Sequence, residues 1–335
     1  MLSVSSPGSL LSELEAELAP DLAEVERILA ARVESDLELV KLTSQYLYRG
    51  GGKRIRPMLL LIAARAAGGP KGGASPRGPS YGAMVEIMHT ATLVHDDIVD
   101  EADTRRGQAS LNSLLGNDLT VLIGDFLYIQ SMSLAVEQEN PQVVATMCDL
   151  TMRMIEGMLL EKARGGAIGL TREEHLRILR LKTAYLFHGC GKMGAMMVEA
   201  PPEVEGALGD YCMNLGMAFQ VADDLFDFTA SAAMVGKPVL SDLKEGHLTL
   251  PILHALEREP EAVPLVEEVL DSGGLTPGQQ EEILALVERR GGLDEARRVA
   301  EGFAAAARKA LEAVPPSSYR DGLEALAEFV IWRER

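Results

Sequence analysis

Three carboxylates with the spacing DDxxD, Asp96, Asp97 and Asp100, close an apolar run that extends from Met84 to Val94. On a helix, Asp96 and Asp100 lie one turn apart on the same face. Carboxylates this close repel each other and are costly to desolvate unless a cation lies between them. Oxygen ligands suit Mg²⁺, which is usually coordinated by only one or two carboxylates together with water molecules and substrate phosphates. The spacing therefore predicts a magnesium site for a phosphate-bearing substrate, with a solvated helix end as the alternative interpretation.

Two arginines follow this quintet, and a second quintet occurs later in the chain. Arg105 and Arg106 carry guanidinium groups, which match phosphate oxygens in a bidentate manner. The second DDxxD, residues 223–227, again ends an apolar run, residues 211–222. Two such quintets arise by chance in only about one sequence in a thousand. Together they predict a site that holds Mg²⁺ around one diphosphate and ionises a diphosphate ester.

The composition favours helices and narrows the possible partners. Hydrophobic residues make up 47% of the chain and aromatic residues only 4%, so we expect an aliphatic core built largely from Leu, Ala, Val and Met. The net charge of −18 disfavours nucleic acid and anionic lipid headgroups. Cys148, Cys190 and Cys212 show no metal-ligand spacing and indicate buried free thiols in a reducing cytoplasm. We find no secretory leader and no unbroken apolar run of about 18 residues.

Helical periodicity and turn residues define the elements that must position the carboxylates. Apolar residues predict a helix from Leu11 to Leu47, broken near Pro20. Thr171 and Glu174 have the spacing of a capping box, which predicts the start of another helix. No part of the chain shows a strand pattern.

Six motifs resemble, in their order and spacing, those of the trans-isoprenyl (polyprenyl) diphosphate synthases. They are the two aspartate quintets, Gly51–Pro57 (GGKRIRP), Lys182-Thr183, Phe219-Gln220 and Gly236-Lys237-Pro238. The resemblance covers roughly residues 40 to 255 and is specific because six separate signatures agree. It points to the long-chain members, of the octaprenyl, heptaprenyl and solanesyl type.

The resemblance implies an all-α fold: one large helical bundle of the isoprenoid synthase type, with a central cavity between the two aspartate-rich helices. We expect a single domain over residues 1–335. Residues 1–10 are expected to be a frayed N-terminus, and the Gly/Pro-rich residues 68–80 a flexible loop.

The family pattern also assigns roles to individual residues. Mg²⁺, about three ions per active site with substrate bound, is assigned to Asp96, Asp97, Asp100, Asp223, Asp224 and Asp227. Substrate binding is assigned to Lys53, Arg56, His89, Arg105, Arg106 and Lys237. Catalysis is assigned to Lys182, Thr183 and Gln220. His247 departs from the pattern, which has lysine there, so a diphosphate contact at this position would be weaker or pH-dependent.

The implied reaction is the repeated condensation of an allylic diphosphate with isopentenyl diphosphate, which gives a long all-trans polyprenyl diphosphate for a quinone side chain. Such an enzyme is a Mg²⁺-dependent prenyltransferase, cytoplasmic and homodimeric, that delivers its product to a membrane. The alternatives are a shorter-chain synthase that makes farnesyl or geranylgeranyl diphosphate, a class I terpene cyclase, and a non-catalytic subunit of a heteromeric synthase. The Lys53 and Arg56 pair argues against a cyclase, because it is useful only for a second diphosphate substrate. The complete aspartate quintets argue against a non-catalytic subunit, because such subunits typically lose these aspartates.

Product length depends on the residues one turn before Asp96. Ala91 and Thr92 are small where short-chain relatives carry aromatic residues, and Met88 follows one turn further back. A tunnel past these three chain-length residues would accommodate about forty carbons, since each helical turn adds about 5.4 Å. The alternative is that Ala91 is small only for close helix packing.

Overall fold

The computed structural model describes residues 7–49, 52–68, 75–105, 107–229 and 239–331. These residues are helical apart from turns and one small β-ribbon, which confirms the predicted all-α fold. The helices of the first half are α1 (Pro7–Arg32), α2 (Glu38–Arg49), α3 (Ile55–Ala67), α4 (Gly78–Val99), α5 (Leu111–Leu115), α6 (Asn117–Glu137) and α7 (Pro141–Arg164). The second half contains α8 (Arg172–Leu179), a π-helical segment (Arg180–Ala184), α9 (Tyr185–Met197), α10 (Pro202–Thr229), α11 (Ser241–Lys244), α12 (Leu250–Arg258), α13 (Val263–Ser272), α14 (Pro277–Arg289), α15 (Gly292–Ala310) and α16 (Ser318–Ile331).

Contacts between Cα atoms divide the chain into two compact units. Unit 1 contains residues 1–151, 186–210 and 310–325, and unit 2 contains residues 152–185, 211–309 and 326–335. The first aspartate quintet belongs to unit 1 and the second to unit 2. The expectation of a single domain with a cavity between the two aspartate-rich helices stays a prediction.

The core of unit 1 surrounds α4, the helix that carries the first quintet. Residues 81–88 of α4 are all buried, and α4 packs on α1, α3 and α6. The Ser131 hydroxyl on α6 donates a 2.8 Å hydrogen bond to the Met84 carbonyl, which joins these two helices inside the core. At Gly194 of α9, a Cβ atom would lie 2.6 Å from the Leu60 carbonyl oxygen, so glycine is needed for the contact with α3. The aspartates at the end of α4 therefore extend from a closely packed helix.

The core of unit 2 holds the part of α10 from Tyr211 onwards, which carries the second quintet. Val221 of α10 packs in a cluster with Leu250, Ala296 and Ala300. A larger aliphatic cluster includes Phe228 near the end of α10 and residues of the segment that follows it. Alanine at the α15 positions lets helices approach closely, in line with the few aromatic residues of the chain.

Several local expectations differ from the structure. The break near Pro20 is wrong, because α1 continues through Pro20 and ends at Arg32. Leu14, Leu18, Val25 and Leu29 are at most 3% exposed along this helix, and their burial outweighs the roughly 3 kcal/mol cost of an interior proline.

The N-terminus and the loop are only partly described. α1 begins at Pro7, so the described end of the expected frayed segment 1–10 is helical. Likewise, Gly78 to Ser80 of the expected loop 68–80 belong to α4, whereas residues 69–74 lie outside the described residues. The capping box at Thr171 and Glu174 is confirmed.

The cysteine expectation is correct for two residues of three. Cys190 and Cys212 are buried free thiols, but Cys148 is exposed on α7. Burial raises the pKa of Cys190 to about 12. Cys190 is therefore an inert core residue at neutral pH.

Helix α6 is long and apolar enough to cross a membrane, by length and composition alone, and no other helix of the described ranges is. A core helix of a soluble protein passes the same test, so one such helix is weak evidence for a membrane span.

Candidate active site

The first quintet lies at the C-terminal end of α4, and its three carboxylates have different surroundings. Asp96 and Asp97 belong to the last turn of the helix, and Asp100 is its C-cap. Asp97 is only 4% exposed, whereas Asp100 is exposed and Asp96 is half-buried. The middle carboxylate is thus the one that points into the protein.

Asp97 pairs with Arg105, which the sequence assigned to the substrate. The Arg105 Nε donates a 2.6 Å hydrogen bond to Asp97 Oδ1. Burial raises the pKa of Asp97, and the guanidinium of Arg105 opposes this effect. Arg105 lies in a two-stranded antiparallel ribbon (β1, Thr104–Arg105, and β2, Gln108–Ala109) that the sequence pattern did not reveal. Asp97 therefore fastens this ribbon to α4, while Nη1 and Nη2 of Arg105 make no described hydrogen bond.

The basic residues upstream are arranged around the start of α3. Lys53 is exposed, and Arg56 is half-buried with its guanidinium carbon 5.1 Å from the centre of the Phe187 ring. This cation–π contact from α9 restrains the direction of Arg56. His89 is half-buried on α4, two turns before Asp96. Arg106 lies outside the described residues.

In the second quintet, the carboxylates of Asp224 and Asp227 accept hydrogen bonds from the part of the chain that follows α10. Asp224 is 5% exposed, and its Oδ2 accepts hydrogen bonds from His175 Nε2 (2.8 Å) and from the Leu250 backbone nitrogen (3.4 Å). Asp227 accepts hydrogen bonds from the backbone nitrogen (2.8 Å) and hydroxyl (2.6 Å) of Ser241. These contacts fasten the N-terminal ends of α11 and α12 to α10. Asp223 is half-buried, and its position at the first site of the quintet matches that of Asp96.

Lys182 lies in the π-helical segment between α8 and α9. Its ammonium group forms an ion pair with Glu161 of α7, and both side chains are about one-fifth exposed. A Cβ atom at position 157 would lie 2.5 Å from the Lys182 backbone nitrogen, so glycine there admits the wide turn. Such π turns occur frequently at functional sites. Thr183 belongs to the same turn and is half-buried.

Other predicted residues of unit 2 have these positions. Gln220 is half-buried on α10, three residues before Asp223 and hence on the same side of the helix. His247 is half-buried after α11, and its backbone nitrogen donates a 2.8 Å hydrogen bond to the Asp242 carbonyl. Lys237 lies outside the described residues.

The donors of each quintet fit Mg²⁺ only with help from a substrate. Among the described residues, no group of three or more His, Cys, Asp or Glu side chains is gathered to hold a metal ion. Asp96 and Asp100 supply hard oxygen donors one turn apart, and Asp223 supplies another within unit 2. Mg²⁺ characteristically binds through one or two carboxylates, waters and substrate phosphates. Asp97, Asp224 and Asp227 accept hydrogen bonds from protein groups, so part of their oxygen-donor capacity is already used.

The three chain-length residues lie on α4 in unit 1. Ala91 is 2% exposed and Met88 is fully buried, with its sulfur 3.7 Å from the Thr151 hydroxyl. Thr92 is half-buried and donates a 2.8 Å hydrogen bond to the His89 carbonyl. Two surface cavities of unit 1, near Arg27 and near Gln45, contain none of these residues. The path of a growing chain along α4 therefore stays a prediction.

Three residues that the sequence did not reveal contact site residues that are distant in sequence. Glu161, His175 and Phe187 each hold a predicted site residue, yet none stands in a motif with recognisable spacing. Their partners are 21, 49 and 131 residues away, as the pairs Glu161–Lys182, His175–Asp224 and Arg56–Phe187 show.

Comparison with known proteins gives a consistent result over nearly the whole chain. Residues 37–287 match the family model described as Polyprenyl synthetase. The octaprenyl diphosphate synthase of Escherichia coli is 35% identical over 328 residues, which cover 97% of this chain and 99% of that protein. The solved decaprenyl diphosphate synthase of Rhodobacter capsulatus has a TM-score of 0.89 at 35% identity and covers 97% of this chain and 99% of its own. A polyprenyl synthase of Caulobacter crescentus, solved with calcium and isoprenyl diphosphate, has a TM-score of 0.89 at 32% identity, with coverage of 97% and 98%. The chain belongs to the polyprenyl synthetase family.

Proposed function

We propose that the protein is a long-chain trans-polyprenyl diphosphate synthase, a prenyltransferase that makes a product of about forty carbons. The observation that carries this function is the end-to-end similarity to a synthase named for its octaprenyl product. The chain keeps both aspartate quintets, the Lys53 and Arg56 pair and the Lys182-Thr183 pair within that similarity. These are the residues needed for two diphosphate substrates.

The reaction needs groups that withdraw one diphosphate and hold another. Bound Mg²⁺, held by Asp96, Asp100 and Asp223, would supply the positive charge that helps the allylic diphosphate leave. Lys182, Lys237 and Arg105 neutralise the same leaving group. Arg105 does so through Nη1 and Nη2, because its hydrogen bond to Asp97 among the described residues is made by Nε. Thr183 and Gln220 direct their dipoles at the allylic carbons that become positive.

The second substrate is the nucleophile. Lys53, Arg56, His89 and Arg106 bind the diphosphate of isopentenyl diphosphate, whose double bond attacks the allylic carbon. The allylic carbon–oxygen bond breaks, a carbon–carbon bond forms, and one proton is lost to the departing diphosphate. Repetition of these steps lengthens the chain by five carbons each time.

The exposed face of α6 supports a homodimer as the assembled form. Leu122, Ile129 and Val136 recur every seven residues along α6 and are 62%, 62% and 63% exposed. An apolar stripe of this kind on a soluble protein is characteristic of a protein interface. We further propose a cytoplasmic enzyme that releases its water-insoluble product to a membrane for use as a quinone side chain.

Incubation of the purified protein with Mg²⁺, farnesyl diphosphate and isopentenyl diphosphate tests the proposal. Extracted products near forty carbons support it, whereas products of fifteen or twenty carbons identify a short-chain synthase. A cyclic hydrocarbon formed without isopentenyl diphosphate identifies a terpene cyclase. No product from the protein alone identifies a subunit that needs a partner.

A further inference from the structure

One arginine of the basic motif binds carboxylates of the protein itself. Arg54 lies between Lys53 and Arg56 in sequence, yet its side chain is only 10% exposed. Its Nη1 donates a 2.8 Å hydrogen bond to Glu86 Oε1, and Nε and Nη2 bind the carboxylate of Glu26. Arg54 therefore binds protein carboxylates on two other helices, α1 and α4.

The backbone at Arg54 has an unusual conformation. Its φ is 45° and its ψ is 39°, in the left-handed region, directly before the first turn of α3. Residues with a side chain rarely adopt this conformation unless surrounding contacts hold it. The described side-chain contacts that hold it are the Glu26 and Glu86 carboxylates and the Tyr48 ring, whose centre is 5.9 Å from the guanidinium carbon. We infer that the direction of the chain from Gly52 to Ile55 depends on them.

Glu86 connects this segment with another predicted substrate residue. Glu86 is 6% exposed on α4 and lies three residues before His89, within one helical turn. The Glu86 carbonyl also accepts a 2.8 Å hydrogen bond from the Thr90 hydroxyl. The Arg54–Glu86 pair thus joins the segment that carries Lys53 and Arg56 to the turn that carries His89.

We propose that Arg54 and Glu86 form a positioning pair, which sets the distance between the Lys53/Arg56 segment and His89 so that the three residues bind one diphosphate. This inference rests on the proposed function, in which that diphosphate belongs to isopentenyl diphosphate. The pair itself touches no substrate. Its loss should weaken binding of isopentenyl diphosphate selectively, because the described side-chain contacts of Arg54, with Glu26, Glu86 and Tyr48, include no residue assigned to the allylic diphosphate.

A matched control exists on α1 and α3. Arg65 of α3 is also nearly buried and binds two carboxylates of α1, with Nη2 2.5 Å from Asp21 and Nη1 3.2 Å from Glu17. The Asp21→Asn variant therefore weakens an equivalent arginine pair that carries no proposed site residue. The Glu86→Gln variant keeps the side-chain shape and leaves Arg54 paired with Glu26, so it should fold.

Steady-state kinetics with both substrates varied test the pair. We expect Glu86→Gln to raise the KM for isopentenyl diphosphate at least tenfold, about 1.4 kcal/mol. The KM for farnesyl diphosphate should stay within twofold of wild type. Asp21→Asn should change neither KM by more than twofold, even where its thermal midpoint falls. The proposal would be overturned if Glu86→Gln raised both KM values equally or left the KM for isopentenyl diphosphate unchanged. It would also be overturned if Asp21→Asn raised the KM for isopentenyl diphosphate as much as Glu86→Gln does.

A second variant separates the ion pair from the backbone. Glycine tolerates the left-handed conformation, so Arg54→Gly removes the guanidinium while the turn keeps its φ. The same selective KM rise is expected, and a wild-type KM would assign Arg54 to the turn alone. If Glu86→Gln does not fold, the KM values of Arg54→Gly decide the test. If neither variant folds, the pair is required for stability and the positioning proposal is overturned.

The proposed function can fail separately. Wild-type protein that consumes no isopentenyl diphosphate refutes the synthase assignment. Calorimetric titration with inorganic diphosphate in EDTA then still tests the pair, since Lys53, Arg56 and His89 need no metal. Tenfold weaker binding in Glu86→Gln than in Asp21→Asn supports the positioning role, and equal binding overturns it.

Discussion

His175 and Asp224 share a 2.8 Å hydrogen bond, although 49 residues separate them in the chain. Both side chains are buried. The same Asp224 oxygen also accepts a hydrogen bond from the backbone nitrogen of Leu250, which belongs to another helix. The middle aspartate of the second quintet therefore stabilises unit 2. Asp97 has the corresponding place in the first quintet and binds Arg105. We therefore propose a structural role for the second aspartate of each quintet, in contrast to the metal binding proposed for the first.

This difference predicts opposite effects for two neighbouring residues. Asp223→Ala should lower turnover by orders of magnitude and leave the thermal midpoint unchanged or higher, because one of several like charges is removed. Asp224→Ala should lower the free energy of unfolding by about 1–3 kcal/mol, because two buried hydrogen-bond donors lose their acceptor. Product formation at saturating Mg²⁺ and thermal unfolding without Mg²⁺ measure the two effects. Near wild-type turnover in Asp223→Ala would show that Asp223 is not a metal ligand.

The family pattern implied by the resemblance has lysine at position 247, so we expect His247→Lys to strengthen binding of the allylic diphosphate. Lysine carries a fixed charge near neutral pH, whereas neutral imidazole offers one donor. The expected result is a several-fold lower KM for farnesyl diphosphate. A KM within error of wild type, measured in the folded variant, would place His247 away from the substrate.

Stability should fall in mild acid because of His188. Burial lowers the pKa of His188 below its usual 6.5, and Lys192 adds to this effect. A histidine with a lowered folded-state pKa stabilises the fold above the unfolded-state pKa, and this contribution is lost as the pH falls. The free energy of unfolding should therefore decrease as the pH drops below about 6.5. Denaturant unfolding of wild type and His188→Gln checks this, since the variant should show a shallower decrease over the same range.

Product length should depend on Ala91. Ala91→Phe should shift the products from about forty carbons towards fifteen or twenty, because the ring would close the path along α4. Ala91 is 2% exposed, so the larger side chain also costs about 1–3 kcal/mol by overpacking. Ala91→Leu provides a milder variant, with products of intermediate length. Mass analysis of extracted products decides the matter: long chains from a folded, active Ala91→Phe enzyme would contradict the tunnel.

The sequence predicted the fold class and family well because both depend on local signals. Helical periodicity and the DDxxD spacing are properties of neighbouring residues, and α4 and α10 indeed carry the two quintets near their C-terminal ends. Which aspartates bind the protein was not predictable, because the partners Arg105, His175 and Ser241 are chosen by tertiary packing. The path of α1 through Pro20 was missed for the same reason, since its buried leucines outweigh the local preference.

The π-helical segment Arg180–Ala184 has a consequence for any redesign of this region. A π turn contains about one residue more than an α-helical turn, so the residues after it are rotated by about 100° relative to an uninterrupted helix. Deleting a single residue between 180 and 184 would restore regular α-helical winding and keep the helix continuous. It would also turn every later side chain of α9 to a different face. Substitutions and deletions in this region must therefore preserve the rotation of the α9 side chains that the π turn produces, and not merely the length of the helix.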